Sequence, residues 1–435
     1  MDVDVAVVGA GPAGIAAAVA AREAGASVVV IDEYGAPGGQ IWKRPRGAGA
    51  DGLPPAARRR CEALAGCGAR LLADTTVWAA RDEHTLLAAT SDGRAHAVHA
   101  RAIVLATGAY DRPVAFPGWT LPGVVTAGAA QSLAKAEDVL PGRRVLLAGA
   151  GPFLLPVAEQ LLARGAEVAV VAEATGRAEW LRTAPRMLRH PRRVGEYAAY
   201  RARLRGVPFM WSHAIVCAEG SGRVASATVA RVDADWRPRP GSERTFAVDA
   251  VATAYGFLPS VELARALGCA LAGERVAHDA DMRTTVPHVF VAGEAAGVGG
   301  ADLALVEGEI AGRAAAGHRA RRALRRRRRR GAAFARVLDD LFGPRAGLLE
   351  LADAATTVCR CEDVTAGDLD AAIAAGARSM GALKVATRCG QGPCQGRICA
   401  HLVAARAPDV EDARFSSRPP VRPVALSTLA DTEAE

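Results

Sequence analysis

No segment of the 435-residue chain approaches eighteen consecutive apolar residues, which leaves no candidate for a membrane-crossing helix. The chain runs straight into the strand Val3 to Val8 without a basic lead or a cleavage site, so no secretory leader is expected and the reading is a cytoplasmic protein. No repeat of solenoid period is present. Cys61, Cys67, Cys217 and Cys269 are scattered, whereas the other five of the nine cysteines fall between Cys359 and Cys399. Clustered cysteines in a reducing compartment point to metal, not to disulfides. Acid is missing altogether from Arg319 to Arg330, which holds nine arginines; the formal charge of +8 therefore leaves 8 − 9 = −1 for the rest of the chain. One arginine run is not a basic surface, so nucleic-acid binding is not expected. The run reads as a basic linker helix, with an acidic protein partner or a membrane surface as the alternatives.

Half the residues are apolar, and the length suits two or three packed domains. Apolar β-branched runs ending in glycine recur at Val3 to Gly14, Ala102 to Gly108, Arg144 to Gly151 and Val289 to Gly293, with Ala- and Leu-rich helical stretches between. That is the pattern of an α/β protein with doubly wound, Rossmann-like parallel sheets. Between Gly176 and Leu258 the texture changes, and Ala214 to Arg231 and Thr245 to Ala254 read as strands of a β-rich insert. Gly343-Pro344 separates the arginine run from a C-terminal module starting near Thr356.

The segment Val5-Ala-Val-Val-Gly9-Ala-Gly11-Pro12-Ala13-Gly14 supplies a buried strand, a tight turn and a helix start that aims backbone N–H groups at a pyrophosphate. A second strand ends in Asp32-Glu33, and Asp32 lies 23 residues after Gly9. This is close to the spacing of a ribose-hydroxyl acceptor, with Glu33 as the alternative. Pro37-Gly38-Gly39-Gln40 follows, then Ala106-Thr107-Gly108 and Val289-Phe-Val-Ala-Gly293-Glu294. These motifs resemble the two-dinucleotide-binding-domain flavoproteins. The resemblance implies FAD, lined by Gly9, Gly11, Pro12, Ala13, Gly14, Asp32, Glu33, Gly39, Gln40, Val77, Ala106, Thr107, Gly108, Gly293, Glu294, Gly300 and Ala301. Most members carry aspartate where Glu294 stands.

Leu146-Leu-Ala-Gly149-Ala-Gly151-Pro-Phe-Leu154 repeats the design where such flavoproteins bind NAD(P)H, but Leu154 replaces the third glycine and no Arg pair follows Glu173. A degenerate site that does not use NAD(P)H is expected. Cys61 and Cys67, with five residues between them in an Ala- and Leu-containing stretch, read as small buried hydrophobes rather than a redox pair.

Cys359-Arg-Cys361 and, after thirty-two intervening residues, Cys394-Gln-Gly-Arg-Ile-Cys399 offer four thiolates, enough for a [2Fe-2S] cluster or for structural zinc. Cys389 is a fifth, and Cys389–Cys394 and Cys394–Cys399 have the same four-residue spacing. Cys-Arg-Cys-Glu-Asp-Val-Thr and Thr-Arg-Cys-Gly-Gln-Gly-Pro-Cys-Gln-Gly-Arg resemble the module related to bacterioferritin-associated ferredoxin. The resemblance selects Cys359, Cys361, Cys394 and Cys399 as ligands of a [2Fe-2S] cluster and puts Cys389 beside it.

With Ala-Thr-Gly-Ala-Tyr110-Asp-Arg-Pro and Phe116-Pro-Gly-Trp119, the whole chain resembles the larger subunits of opine oxidases, hydrogen cyanide synthase and dye-linked proline or hydroxyproline dehydrogenases. The resemblance implies an electron relay beside an amino-acid-oxidase-like flavoprotein subunit, with an acceptor such as a quinone and a small ferredoxin-like subunit. A stand-alone NAD(P)H-dependent reductase is the alternative, and no side chain is assigned to substrate chemistry. The expected domains are an FAD-binding part at 1–118 and 280–318, a degenerate nucleotide-binding part at 119–279, a basic linker helix at 319–355, the [2Fe-2S] module at 356–405 and a tail at 406–435.

Overall fold

The strand Asp2–Val8 is wholly apolar from Val5 to Val8, where it has a neighbour on each side and a helix layer over it. It runs parallel to Val28–Ile31 and to Ala95–Leu105, and Val5 to Val7 are fully buried. The computed structural model describes residues 1–45, 47–407, 415 and 418–433; of the expected tail, 408–414, 416–417 and 434–435 lie outside the described residues. Two compact units are formed: one from Met1–Tyr110, Leu258–Ala335 and the described residues after 416, the other from Asp111–Phe257 and Arg336–Phe415.

In the first unit a seven-stranded sheet carries the parallel strands Arg70–Leu72, Val28–Ile31, Asp2–Val8, Ala95–Leu105 and Val289–Val291, with an antiparallel extension through Thr85–Thr90 and Thr75–Ala80. Helix Pro12–Glu23 packs closely on helix Ala301–Ala315 where Gly308 and Gly312 face Ala13 and Ala17. A Cβ on Gly308 would sit 2.0 Å from the Ala13 carbonyl oxygen, and one on Gly312 2.1 Å from that of Ala17. The two backbones touch, so even a methyl would push them apart. The end of the chain belongs to this unit: the Val421 N–H donates to the Trp78 carbonyl at 2.7 Å, and Val424 and Leu429 pack against a cluster of Trp78, Ala79 and Leu87.

In the second unit a five-stranded parallel sheet runs in the order Phe209–Trp211, Glu167–Glu173, Arg144–Gly149, Ala250–Ala254, Val124–Thr126. The run Thr245 to Ala254, read as part of the β-rich insert, divides between two sheets. Arg244–Ala247 closes an antiparallel three-stranded sheet with Ser226–Arg231 and His213–Glu219, while Ala250–Ala254 is central in the parallel sheet. The physical signal was burial: Ala250 to Ala254 is buried at every position, whereas Arg244–Ala247 has no buried residue. The C-terminal cysteine module shares this unit's core, with Val358, Leu369 and Leu383 in the same apolar cluster as Trp236 and Tyr255. Among the described residues no helix is long and apolar enough to cross a membrane.

Candidate cofactor sites

Gly9 and Gly14 are required by close approach. Gly9 has φ +102°, and a Cβ there would lie 2.4 Å from the Ala106 carbonyl oxygen, while one on Gly14 would lie 1.8 Å from that of Gly9. The turn thus rests on Ala106-Thr107-Gly108, which is itself tied down: the Thr107 hydroxyl donates to the Ser260 carbonyl at 2.6 Å and the Ser260 N–H to the Gly108 carbonyl at 2.9 Å. The Gly38 N–H donates to the Ala10 carbonyl at 2.8 Å, and a Cβ on Gly39, at φ +57°, would lie 2.9 Å from the Gly11 Cα. Gly293 closes the group, for its Cβ would fall 2.7 Å from that of Ala13. Four sequence motifs far apart in the chain therefore meet at the start of one helix.

That helix, Pro12–Glu23, has no side-chain cap, so its first N–H groups are left for an anion. Over Gly11 there is room: the nearest atom to a Cβ there is the Gly39 Cα at 3.8 Å. The arrangement fits a dinucleotide pyrophosphate. Asp32, 7% exposed, latches the turn to the second strand by accepting from the Ala10 N–H and, at 2.8 Å, from that of Tyr34. Burial pushes its carboxyl up to about 6 against the pull of those two bonds. Glu33 is 40% exposed and faces Arg422 at 3.9 Å. Glu294 accepts from the Gly300 N–H at the start of helix Ala301–Ala315, and burial raises its carboxyl. Val77 is buried in strand Thr75–Ala80, and the Gln40 amide donates to the Tyr34 hydroxyl.

The second turn has a similar latch one position further along, and its left-handed residue is Gly151 where the first turn's is Gly9. Gly151 has φ +104°, and buried Glu173 accepts from the Gly151 and Thr175 N–H groups, each at 3.0 Å. Burial pushes the Glu173 carboxyl up to about 7. What covers this turn is a side chain: Phe342, 8% exposed, puts its ring 3.3 Å from where a Gly151 Cβ would be and packs edge-on against Trp180 at 5.4 Å. Leu154, 1% exposed, opens the following helix, Leu154–Ala163. The Leu154 departure was legible in the sequence; Phe342, 191 positions beyond Gly151, was not.

In the C-terminal module, strand Thr357–Cys359 pairs with Val364–Thr365 around a turn holding Cys361. Helix Ala366–Ala374, capped by Thr365 and Asp368, and helix Met380–Thr387, capped by Ser379, lead to Arg388 at φ +66°. That left-handed residue turns the chain into the Cys389–Cys399 loop. The sulfurs of Cys359, Cys389 and Cys399, all buried, lie within 4.8 Å of one another. Cys361 is exposed and Cys394 partly buried, and the two hydrogen-bond to each other. Gly392 makes room for them, since its Cβ would lie 2.2 Å from that of Cys361. Hydrogen bonds from the Cys389 and Cys399 thiols pull the Cys359 thiol down to about 2, and the same bonds push those two thiols up. The trio unaided thus favours one thiolate; a metal cluster would convert it to several, because its positive charge replaces the shared protons. The Arg388 Nε donates to Glu362 at 2.8 Å, and the Arg360 guanidinium lies 5.3 Å from the Trp119 ring.

An uncapped glycine turn with its helix and a separate sulfur cluster define a flavin-dependent oxidoreductase with an iron-sulfur module. The chain belongs to the pyridine nucleotide-disulphide oxidoreductase family, whose model matches residues 3–321, and a BFD-like [2Fe-2S] binding domain matches residues 357–405. FAD and a [2Fe-2S] cluster are accordingly its cofactors, which removes structural zinc as the reading of the cysteines. An opine oxidase subunit of Rhizobium meliloti (strain 1021) is 35% identical, covering 98% of both chains. Hydrogen cyanide synthase subunit HcnB of Pseudomonas aeruginosa is 34% identical over 90% of each. The crystal structure of L-proline dehydrogenase from P. horikoshii shares the fold with a TM-score of 0.67 at 21% identity, covering 99% of this chain and 79% of that one.

Proposed function

We propose that this chain is the electron-transferring subunit of a heteromeric amino- or imino-acid dehydrogenase of the cytoplasm. An amino-acid-oxidase-like flavoprotein subunit removes the substrate's electrons, with a small ferredoxin-like subunit beside it, and a quinone is the final acceptor. The observation that carries the reading is Phe342 lying on the Gly149–Gly151 turn. A chain equipped for flavin and cluster, whose second nucleotide turn is covered by its own aromatic ring, takes electrons from a protein partner rather than from NAD(P)H. Support comes from near end-to-end similarity to oxidase and synthase subunits.

On this reading the backbone of Gly9, Gly11 and Gly14 takes the FAD pyrophosphate. The Asp32 oxygens, each with a lone pair beyond those facing Ala10 and Tyr34, accept from the ribose. Gly39, Gln40, Val77, Ala106 to Gly108, Gly293, Glu294, Gly300 and Ala301 form the walls. Cys359 with Cys399 and Cys361 with Cys394 supply the four thiolates, and Cys389 packs beside them. The chain is to be loaded anaerobically and mixed with its partner flavoprotein and a panel of cyclic and opine-type amino acids. Reduction of this chain's flavin and cluster by at least one is the expected result; none across the panel contradicts the relay. For the ligands, Cys394→Ala and Cys399→Ala should abolish the electron paramagnetic signal of the reduced cluster and Cys389→Ala should keep it. The reverse pattern would hand the fourth position to Cys389.

A further inference from the structure

Helix Arg322–Phe342 begins with the arginine run, and its inward face is well anchored. Leu324 is buried, a Cβ on Gly331 would lie 2.9 Å from Leu303, Arg325 donates to Asp281 at 2.6 Å, and Arg328 donates to Glu307 at 3.1 Å. These contacts fix which way the other arginines point. At 100° per residue, Arg322, Arg326, Arg329 and Arg330 fall within an arc of roughly 100° and along about 12 Å of the axis. All four are exposed, and among the described residues none is paired with an acid.

Among the described residues nothing rewards this arrangement. Arg322 and Arg326, Arg326 and Arg330, and Arg326 and Arg329 stand at the spacings where like charges destabilise a helix, and cations at a helix N-terminus oppose its dipole. The compensating anion must come from outside. A protein partner would need an apolar anchor at the centre of its footprint, and between Arg322 and Arg330 the one exposed apolar side chain is Ala323, at the edge of this arc. An anionic headgroup layer needs charge alone. We propose that this arginine stripe docks the chain on an anionic membrane surface, reversibly and without insertion. The inference stands apart from the electron-relay reading, although such docking would bring the chain to a lipid-phase acceptor.

Vesicle co-sedimentation of the full, cofactor-loaded chain tests it. Vesicles of equal parts phosphatidylglycerol and phosphatidylcholine should carry the protein down, vesicles of phosphatidylcholine alone should not, and about 1 M salt, where the Debye length is about 3 Å, should release it. Arg322→Gln/Arg326→Gln/Arg329→Gln/Arg330→Gln should keep its flavin and iron while its partitioning falls at least roughly tenfold. The same four positions changed to Lys should bind like the wild type, because a headgroup layer reads charge and not the guanidinium fork. Equal sedimentation with both vesicle types, none with either, or a quadruple Gln variant that binds undiminished overturns the proposal. So does a Lys variant as weak as the Gln one, or a wild type that ignores vesicles but holds a protein partner the Gln variant loses; those results assign the stripe to a protein.

Discussion

The turn at Gly9–Gly11 and the turn at Gly149–Gly151 carry similar latches, offset by one position: Asp32 accepts from Ala10 and Tyr34, and Glu173 from Gly151 and Thr175. They differ in what lies over them. The nearest atom above Gly11 is backbone of the Gly38-Gly39 loop at 3.8 Å, while above Gly151 sits the ring of Phe342 at 3.3 Å. The third motif position differs as well, being Gly14, whose Cβ would collide with Gly9, in one and buried Leu154 in the other. The comparison teaches that the strand–turn–helix and its acid form a structural unit that persists whether or not the rest of the chain leaves the turn open. The capacity to bind lies in the small residues and in what the rest of the chain leaves uncovered.

Equivalent substitutions should separate the two turns most sharply. Gly11→Val places two methyls on the open face of the first turn, so flavin content should drop at least roughly tenfold while iron measured on the same preparation is unchanged. Gly151→Val meets Phe342 at a left-handed φ, so flavin should stay while the chain loses on the order of 3 kcal/mol of stability. Joint loss of flavin and iron in the first variant, or loss of flavin in the second, would break the independence of the two sites.

Removing the cover is the next test in size. Phe342→Ala should cost about 3 kcal/mol by denaturant titration, as expected for deleting a buried aromatic ring, with flavin and cluster spectra intact. A cost below about 1 kcal/mol would mean that the ring does not pack where the comparison requires.

The two latches titrate upward for the same reason, and the effect on stability has a definite sign. Asp32 rises to about 6 and Glu173 to about 7 because burial disfavours their ionised forms. Each folded pKa lies above the unfolded one, so the folded state binds more protons in between and stability falls as pH rises from about 4 to about 7. Glu173→Gln removes the ionisation and should flatten that slope by on the order of 2 kcal/mol across the window, in melting curves taken at several pH values. An unchanged slope would show that Glu173 is already ionised at low pH.

Much of this was legible in the sequence because the signals were local. The Gly9–Gly14 motif, the strand ending in Asp32 and the pairs Cys359/Cys361 and Cys394/Cys399 are each short stretches of sequence, although Gly9 is set by Ala106 and Asp32 by Ala10. The meeting of the dinucleotide motifs at one helix start rests on glycines that the sequence marks individually. What stayed hidden depended on residues far apart. Phe342 and Gly151 share no motif, and the strand Ala250–Ala254 differs from its neighbour Arg244–Ala247 in burial rather than in alternation. The contact of Val421 and Thr428 with Trp78 and Gly93 crosses more than 300 residues. The arginine run read as a linker because composition does not show that Arg325 and Arg328 reach Asp281 and Glu307 and orient the rest.

The central claim, that the second turn is closed and reductant arrives through a partner, is tested most directly by mixing the flavin-loaded chain anaerobically with NADH or NADPH and following the flavin absorbance. The account predicts that neither nucleotide bleaches it although dithionite does. Rapid bleaching by either would contradict the account and make the chain an NAD(P)H-dependent reductase.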